Sequence, residues 1–337
     1  MKKILFIATG GTIASKKSDN GLKPQISPEE LLSYIPSLSQ ICAIDTLQLF
    51  SLDSTNMEPK HWIQIVECIR EHYDNYDGFV VAHGTDTMAY TAAGLSYMIQ
   101  NSTKPIVITG SQKPIDLDIT DAKTNLIDSF IYASDDKSQG VQIVFDGNVI
   151  AGTRAKKVRS KSYNAFSSID FPFLAVIQDG MIMRYIPMTP YEEPVSFHTK
   201  MNENIFLLKL VPGIDPEILE VIFRKYDAIV VESFGVGGIP MSIRSAFYDL
   251  CHAYPNKMII MATQVSHEGS DMTVYEVGNE MKTICNFLES YDMTLESVIA
   301  KTMWMLADPE ITREHLEDVF YKNINFDLIF GKNRTIA

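Results

Sequence analysis

Cysteines are scarce in this sequence, and their spacing suggests neither a disulfide framework nor a zinc site. The four thiols among 337 residues, Cys42, Cys68, Cys251 and Cys285, lie far apart, and no C-x-x-C pair occurs. Secreted disulfide scaffolds and zinc modules use short, repeated cysteine spacings. We therefore expect reduced, mostly buried thiols.

Long apolar runs and an excess of basic residues are also absent. The apolar stretch Ile4–Ala8 is too short for a signal peptide, and no later run is long enough to span a membrane. Lys and Arg number 29 against 42 Asp and Glu, a net charge of -13, whereas a nucleic-acid surface needs clustered cations. We expect a cytoplasmic protein with no membrane or nucleic-acid partner.

The common catalytic motifs are missing as well. There is no G-x-S-x-G elbow, no G-x-x-x-x-G-K-[ST] loop and no G-x-G-x-x-G. The seven histidines are scattered without metal-ligand spacing, and His267-Glu268 is not followed by the second histidine of a zincin helix. No metal or other cofactor is expected.

The sequence does contain short apolar runs that alternate with helical patterns. Apolar residues recur at i, i+3, i+4 and i+7 in Trp62, Ile65, Val66 and Ile69, which predicts a helix with one buried face. Continuous apolar strands between such helices predict a mostly parallel sheet covered on both faces. The strand candidates are Ile4–Ala8, Leu47–Leu52, Phe79–Ala82 and Ile106–Ile108.

The length exceeds what one hydrophobic core usually supports, so two domains are expected. Residues 183–204 carry three prolines and no clear period, which is typical of a linker. We predict an N-terminal α/β catalytic domain over 1–184, a linker over 185–204, and a smaller C-terminal α/β domain over 205–337.

Each of the four strand candidates is followed by a polar turn. The carboxyl ends of parallel strands meet at one rim, and ligands of this architecture bind where the strand order reverses. The hydroxyls and carboxylates of these turns are therefore expected at one crevice. These turns also have simpler interpretations. Gly10-Gly11-Thr12 would form a tight connection, Asp86 or Thr87 would cap a helix, and the Ser54-Thr55 side chains would stabilise their own turn.

A run of basic residues, Arg154 to Lys161, also has two interpretations. It is either a solvated hairpin or the source of a lysine that turns into the rim. Threonine hydroxyls are weak nucleophiles at neutral pH and need a base or a lowered pKa. Burial would favour a neutral lysine there, whereas Asp86 would favour the charged form.

Two strings at these turns resemble the signature segments of bacterial-type L-asparaginases. They are residues 8–14 (ATGGTIA) and residues 83–88 (HGTDTM). Residues 53–57 (DSTNM), 109–112 (TGSQ) and 232–238 (ESFGVGG) are also similar to segments of that family. The resemblance covers nearly the whole chain and is closest to the cytoplasmic type I branch.

The resemblance implies hydrolysis of L-asparagine to L-aspartate and ammonia through a threonine nucleophile and an acyl-enzyme, without a cofactor. The catalytic residues that it implies are Thr12, Thr85, Asp86 and Lys157, with Lys156 as an alternative to Lys157. The substrate contacts that it implies are Gly11, Ser54, Thr55, Thr85, Asp86 and Ser111. Ser54 and Thr55 would hold the α-carboxylate, Asp86 the α-ammonium, and Ser111 would lie at the amide end.

One position departs from the family. Its members carry a tyrosine on the loop after the first strand, and Leu22 stands at the matching place. Three replacements are open: Tyr34 of the same chain, some residue of a neighbouring subunit, or a larger role of Thr85 and Lys157 in activating Thr12. The family forms homo-oligomers, so a homodimer or homotetramer is expected, with residues near 271–279 as candidates for reaching a neighbour's site.

Three alternatives to an asparaginase remain open. A glutaminase-asparaginase acts on a substrate longer by one methylene, which a pocket distinguishes by only about 1–3 kcal/mol. The amidase component of a tRNA-dependent amidotransferase has a related fold with an additional N-terminal domain, whereas this sequence starts at its first strand. A non-catalytic amino-acid sensor would bind the substrate without releasing ammonia.

Overall fold

A computed structural model describes residues 1–18, 21–272, 281, 284–312 and 314–329. The chain divides into two units, Met1–Lys200 and Met201–Ala337. Each unit has a sheet with helices, and the first sheet is larger, so the predicted two-domain α/β class is confirmed. The boundaries at 184 and 205 remain predictions. None of the helices that the structure describes is long and apolar enough to cross a bilayer.

The first unit contains the strands of the large sheet and several short strands that pair two by two. The strands are β1 (Lys3–Gly10), β2 (Ser15–Ser18), β3 (Gly21–Pro24), β4 (Ala43–Leu52), β5 (Gly78–Ala82), β6 (Ile99–Gln100), β7 (Pro105–Thr109), β8 (Gly140–Phe145), β9 (Asn148–Ala151), β10 (Ala155–Lys157), β11 (Phe166–Ser168), β12 (Ala175–Gln178), β13 (Met181–Arg184) and β14 (Ser196–Phe197). The α-helices are α1 (Pro28–Ser33), α2 (Pro59–His72), α3 (Met88–Met98) and α4 (Ala122–Ala133).

The large sheet has the order β13-β12-β9-β8-β7-β5-β1-β4. The strands from β4 to β8 pair in parallel, and β9, β12 and β13 continue the sheet in antiparallel pairs. The chain runs from β1 out to the edge strand β4 and then returns to β5 on the other side of β1. The strand order therefore reverses beside β1, which places the crevice at the carboxyl ends of β1 and β5.

The apolar runs of β1, β5 and β7 form strands because both of their faces are covered, whereas the edge strand β4 is partly exposed along its length. Ile4, Phe6 and Ile7 of β1 are fully buried, as are Phe79 and Val80 of β5. A strand without an exposed face needs no polar alternation. The predicted strands are therefore observed, with ends that differ by a few residues.

Helix α2 shows how the predicted helical stripe is used. Pro59 occupies the first turn, where its missing N–H costs nothing, and the side chains of Glu58 and His61 cap the amino end reciprocally. Trp62, Ile65, Val66 and Ile69 face the core. The predicted buried face is confirmed.

The second unit has a parallel sheet of the order β15-β16-β17-β18. Its core includes Phe223, Phe247 and Met261. The strands are β15 (Ile205–Lys209), β16 (Ala228–Ser233), β17 (Met258–Thr263) and β18 (Leu288–Glu289). The helices that the structure describes from end to end are α5 (Glu217–Lys225), α6 (Met241–Ala253), α7 (Leu295–Ala307) and α8 (Leu316–Tyr321).

Part of the predicted linker is ordered against the first unit. Strand β14 pairs in antiparallel fashion with β6, where Phe197 lies opposite Ile99, and the Phe197 ring packs edge-on against Tyr73 at 5.3 Å. The division between the units falls after Lys200. Residues before that point therefore belong structurally to the first unit.

Candidate active site

Three loops at the crevice touch through glycine backbone. Gly11 has φ +78°, and a Cβ on it would lie 2.5 Å from the Cα and N atoms of Gly84. A Cβ on Gly84 would lie 2.6 Å from the Cβ and Oγ atoms of Ser54. Distances this short exclude any side chain at either glycine without movement of the backbone. The turns after β1, β4 and β5 therefore converge, as the strand order requires.

Lys157 reaches the turn after β5. Its Nζ donates to Thr85 Oγ1 at 2.8 Å and to Asp86 Oδ1 at 2.6 Å. Thr85 is 5% exposed, whereas the Asp86 side chain is 58% exposed. A buried hydroxyl, a cation and an accessible carboxylate are thus held at one point.

The lysine comes from a short hairpin, so both interpretations of the basic run hold in part. Strands β10 and β11 pair in antiparallel fashion, with Lys157 opposite Phe166 and Lys156 opposite Ser167. Neighbouring residues of a strand point to opposite faces, so Lys156 is directed away from Thr85. The structure places Lys157, and not Lys156, against Thr85.

Thr12 follows Gly11 directly and begins a 3₁₀ turn. The turn is held in place because Ser15 Oγ donates to the Gly11 carbonyl at 2.9 Å, and Thr9 Oγ1 donates to the Ala82 carbonyl of β5 at 2.8 Å. Thr12 is partly exposed. Within the part of the chain that the structure describes, no group makes a hydrogen bond to its hydroxyl.

The turn after β4 supports the Asp86 loop. Buried Ser54 accepts the Asp86 N–H on its Oγ at 3.3 Å and the Thr87 hydroxyl on its carbonyl at 2.8 Å. Thr87 therefore occupies the cap position of α3 without a side-chain capping bond. Thr55 is exposed, and its N–H and hydroxyl both donate to Asp53 Oδ1 at 2.9 Å. This carboxylate fixes the Ser54–Thr55 turn.

Ser111 is fully buried, and its hydroxyl donates to the Lys113 carbonyl at 2.5 Å. The hydroxyl therefore stabilises its own turn after β7. The substrate contacts implied for Gly11, Ser54, Thr55 and Ser111 remain predictions.

Sequence reasoning missed Gln112 and Asp121. The Thr85 hydroxyl donates to Gln112 Oε1 at 3.3 Å, and the Asp121 carboxylate accepts the N–H groups of Gln112 at 2.8 Å and Lys113 at 3.0 Å. Burial raises the pKa of Asp121, although these N–H donors partly offset the effect. The TGSQ string pointed to this turn, but nothing in the string distinguishes Gln112 from Ser111.

His83 is a fully buried residue that makes hydrogen bonds. Trp62 Nε1 donates to Thr91 Oγ1, which lies 2.9 Å from His83 Nε2, and His83 Nδ1 lies 2.6 Å from the Gly84 carbonyl. The carbonyl requires a proton on Nδ1, so Nε2 accepts from Thr91. Burial lowers the pKa of His83 to about 4, which keeps the ring neutral.

The loop that lacks the expected tyrosine is described only in part. Leu22 lies opposite Lys17 in the β2–β3 hairpin, but its side chain is outside the described structure, as are residues 19–20 and 273–280. Tyr34 ends α1, and Lys123 Nζ lies 6.0 Å from its ring. Among the described contacts, none joins Tyr34 to Thr12.

All four cysteines are free and buried. The described residues contain no group of three or more His, Cys, Asp or Glu side chains arranged to hold a metal ion.

The chain matches two family models over most of its length. Residues 3–188 match the model described as "Asparaginase, N-terminal", and residues 204–320 match "Glutaminase/Asparaginase C-terminal domain". Thr12, Thr85, Asp86 and Lys157 all lie within the first match.

Individual proteins show the same similarity. The chain is 36% identical over 324 residues to the L-asparaginase of Thermococcus kodakarensis, with 96% of this chain and 98% of that protein covered. It is 31% identical to one component of the glutamyl-tRNA(Gln) amidotransferase of Methanococcus maripaludis, with 96% of this chain and 80% of that protein covered.

Solved structures superpose on almost the whole chain. The thermostable L-asparaginase from Thermococcus kodakarensis superposes with a TM-score of 0.89 at 33% identity, with 98% of this chain and 100% of that chain covered. L-asparaginase I from Vibrio cholerae gives 0.85 at 26% identity, with 98% and 99% covered.

Proposed function

Because the chain belongs to the asparaginase family, we propose that it hydrolyses L-asparagine to L-aspartate and ammonia. The observation that carries the proposal is the contact of Lys157 with both Thr85 and Asp86. This contact lies at the crevice where the Gly11 turn meets Gly84. Two hydroxyls, a carboxylate and an amine thus lie on one rim of the sheet.

The substrate is a small zwitterion that must be held at both ends for its side-chain amide to be oriented. The exposed Asp86 carboxylate pairs with the α-ammonium group. The Ser54 hydroxyl donates to the α-carboxylate, and so does the Thr55 hydroxyl once it leaves Asp53 Oδ1. Gly11 contacts the rest of the substrate, beside the turn after β7 that the buried Ser111 hydroxyl stabilises. The glycine contacts support this assignment, because backbone packed so closely holds the binding groups rigidly.

Thr12 is the proposed nucleophile. Its hydroxyl oxygen attacks the side-chain carbonyl carbon, and the Thr85 backbone N–H stabilises the oxyanion, since it lies in a tight turn that enters α3. The Thr12 proton passes to the departing nitrogen, and ammonia leaves. Water then attacks the acyl-threonine, which releases aspartate and returns a proton to Thr12.

Lys157 and Thr85 assist this proton transfer in place of the missing loop tyrosine. The partial exposure of Thr12 supports its role as nucleophile, since a substrate can approach its hydroxyl. The alternative nucleophile is Thr85, which is nearly buried and holds two side-chain hydrogen bonds.

Ammonia release by the purified chain with asparagine or glutamine tests the proposal. We expect turnover of asparagine, with glutamine slower by roughly 10- to 200-fold for one added methylene. Comparable rates would indicate a glutaminase-asparaginase. Binding of asparagine or aspartate by calorimetry without ammonia would indicate a sensor and would overturn the proposal.

The amidotransferase relative favours a second candidate, an amidase that supplies ammonia to a tRNA-dependent partner. This candidate predicts little ammonia from free asparagine until the partner protein and charged tRNA are added. The same assay with and without those components separates the two functions.

We also propose a cytoplasmic homodimer or homotetramer. The four free buried thiols support a reducing compartment. Sedimentation equilibrium of the purified chain measures the oligomeric state, and a monomer at all concentrations would contradict the proposal.

A further inference from the structure

Gln112 connects three parts of the candidate active site. Its Oε1 accepts the Thr85 hydroxyl at 3.3 Å, while its Nε2 donates to the carbonyls of Ser162 at 3.1 Å and Arg159 at 3.4 Å. Both carbonyls belong to the hairpin loop that follows Lys157. Gln112 thus lies between the nearly buried threonine and the segment that carries the lysine.

The orientation of the Gln112 amide is determined by its partners. A backbone carbonyl only accepts hydrogen bonds, so the side-chain atom that faces Arg159 and Ser162 must be the NH₂ group. The Gln112 oxygen must then face Thr85. The reversed amide would set its oxygen against two carbonyl oxygens and its NH₂ group against the threonine.

The backbone of Gln112 is fixed as well. Its N–H donates to both oxygens of Asp121, at 2.8 and 3.1 Å, and Asp121 is 6% exposed. Asn125 Nδ2 donates to the Gly110 carbonyl at 2.9 Å and to Asp121 Oδ2 at 3.3 Å. Gln112 Oε1, which accepts the Thr85 hydroxyl, is therefore held in place through both the side chain and the backbone of Gln112.

We propose that Gln112 is a positioning residue that sets the direction of the proton in the Lys157–Thr85 hydrogen bond. The Gln112 oxygen can only accept, so it draws the Thr85 hydroxyl proton. The Thr85 oxygen then presents its lone pairs elsewhere, and one of them accepts from Lys157 at 2.8 Å. The order of donation is Lys157 to Thr85 to Gln112.

This order of donation limits what Thr85 can do in the proposed asparagine hydrolysis, and to that extent the inference rests on the proposed function. Thr85 cannot donate its own proton to Lys157 while Gln112 holds it. The second lone pair of the Thr85 oxygen remains available to a donor in the crevice, such as the substrate amide or the attacking water. Gln112 thereby keeps Thr85 an acceptor toward the reacting groups.

Neutron diffraction from deuterated crystals of the unchanged protein tests the proton direction without any activity measurement. We expect the Thr85 deuteron to point at Gln112 Oε1 and the Lys157 ammonium to point at Thr85. A Thr85 deuteron directed at Lys157 Nζ would overturn the inference. If the protein released no ammonia from asparagine, the proposed function would fail while this result still decided the role of Gln112.

Steady-state kinetics of Gln112→Met provide the second readout. Methionine keeps the length of the side chain but can neither hold the Thr85 proton nor donate to the hairpin. We expect kcat for asparagine to fall by about 10- to 100-fold, because a misdirected group costs rate, with KM changed less than about threefold. An unchanged kcat, or a rise in KM alone, would contradict the inference.

Gln139→Met is the matched control. Gln139 is 8% exposed and also holds a loop, since its Nε2 donates to the Thr189 carbonyl at 2.6 Å. It precedes the amino end of β8, whereas the active site lies at the carboxyl ends of the strands. We expect a lower Tm in both variants and a lower kcat only in Gln112→Met. An equal loss of kcat in both would assign Gln112 a purely structural role.

Discussion

Lys156 and Lys157 are adjacent residues whose contacts differ completely. Lys157 donates to Thr85 and Asp86, whereas strand alternation directs Lys156 to the opposite face of β10. The sequence left the choice between them open, since one register shift exchanges their places. The pairing of Lys157 with Phe166 fixes the register.

The two lysines form a matched pair of variants. We expect Lys157→Met to lower kcat for asparagine by at least about 100-fold, because the threonine loses its charged partner. Lys156→Met removes the same charge one residue away and should retain activity within about twofold, measured as ammonia release. Equal losses would contradict the placement of Lys157.

Asp128 is a buried carboxylate whose ionisation opposes folding. Burial, with repulsion from Asp146, raises its pKa to about 6, compared with about 3.9 in an unfolded chain. Above pH 6 the group is ionised in both states, and the folded state bears the cost of burying the charge. As the pH falls from 6 towards 4, the folded protein binds the proton first, so this cost disappears.

We therefore expect Asp128→Asn to stabilise the protein at pH 8 by about 2–3 kcal/mol. The gain should shrink steadily between pH 6 and pH 4.5. Urea unfolding of both proteins across this range measures it. A gain of the same size at every pH would mean that charge burial at Asp128 is not the cause.

At the scale of elements, the strands and helices near the site were predictable and the contacts between them were not. Continuous apolar runs predicted β1, β4, β5 and β7, and the polar turns identified the rim. The Gln112 side chain bonds to Thr85, Arg159 and Ser162, which lie 27, 47 and 50 residues away in the sequence. Asp121 and Asn125 then hold the Gln112 turn from the start of α4. Such partners depend on strand order and register, which short patterns do not encode.

The glycines of the two signature turns are predicted to be required for packing. In Gly11→Ala the new Cβ would lie 2.5 Å from the Gly84 backbone, so the turns after β1 and β5 must separate. We expect a loss of at least about 100-fold in kcat/KM for asparagine. The assay compares the variant with the unchanged protein at equal folded concentration.

Gly213→Ala controls for backbone strain alone. Gly213 has a similar φ of +80°, and among the described residues outside 212–214 no heavy atom lies within 4 Å of its would-be Cβ. It should cost about 1–2 kcal/mol of stability from the left-handed conformation and leave kcat/KM unchanged. If both alanine variants lost activity equally, close packing of the turns would not explain the requirement.

At the scale of the whole molecule, the predicted two-domain class and the resemblance to the asparaginase family are both confirmed. The second unit also contains a buried ion pair, which the hydropathy of the sequence does not predict. Lys301 of α7 donates to Asp327 at 2.7 Å and to the Lys322 carbonyl at 2.8 Å, and both charged side chains are fully buried.

Removing one partner of this ion pair is expected to destabilise the second unit. Lys301→Met removes the buried cation that donates to Asp327 and should cost about 3–5 kcal/mol of unfolding free energy. Lys257→Met is the control, because its partner Asp227 is half-exposed and 3.4 Å away, and it should cost less than about 1 kcal/mol. Urea denaturation followed by circular dichroism measures the unfolding free energy of both variants. Similar small losses in the two would contradict the prediction that the buried ion pair contributes more than the exposed one.

Trapping the covalent intermediate shows whether the converging loops present Thr12 to a substrate amide beside Thr85, Asp86 and Lys157. The protein is mixed with asparagine, quenched in acid within milliseconds, digested and examined by mass spectrometry. We expect an aspartyl group on the peptide that contains Thr12 and none on the peptide that contains Thr85. An aspartyl group on Thr85 instead would contradict it.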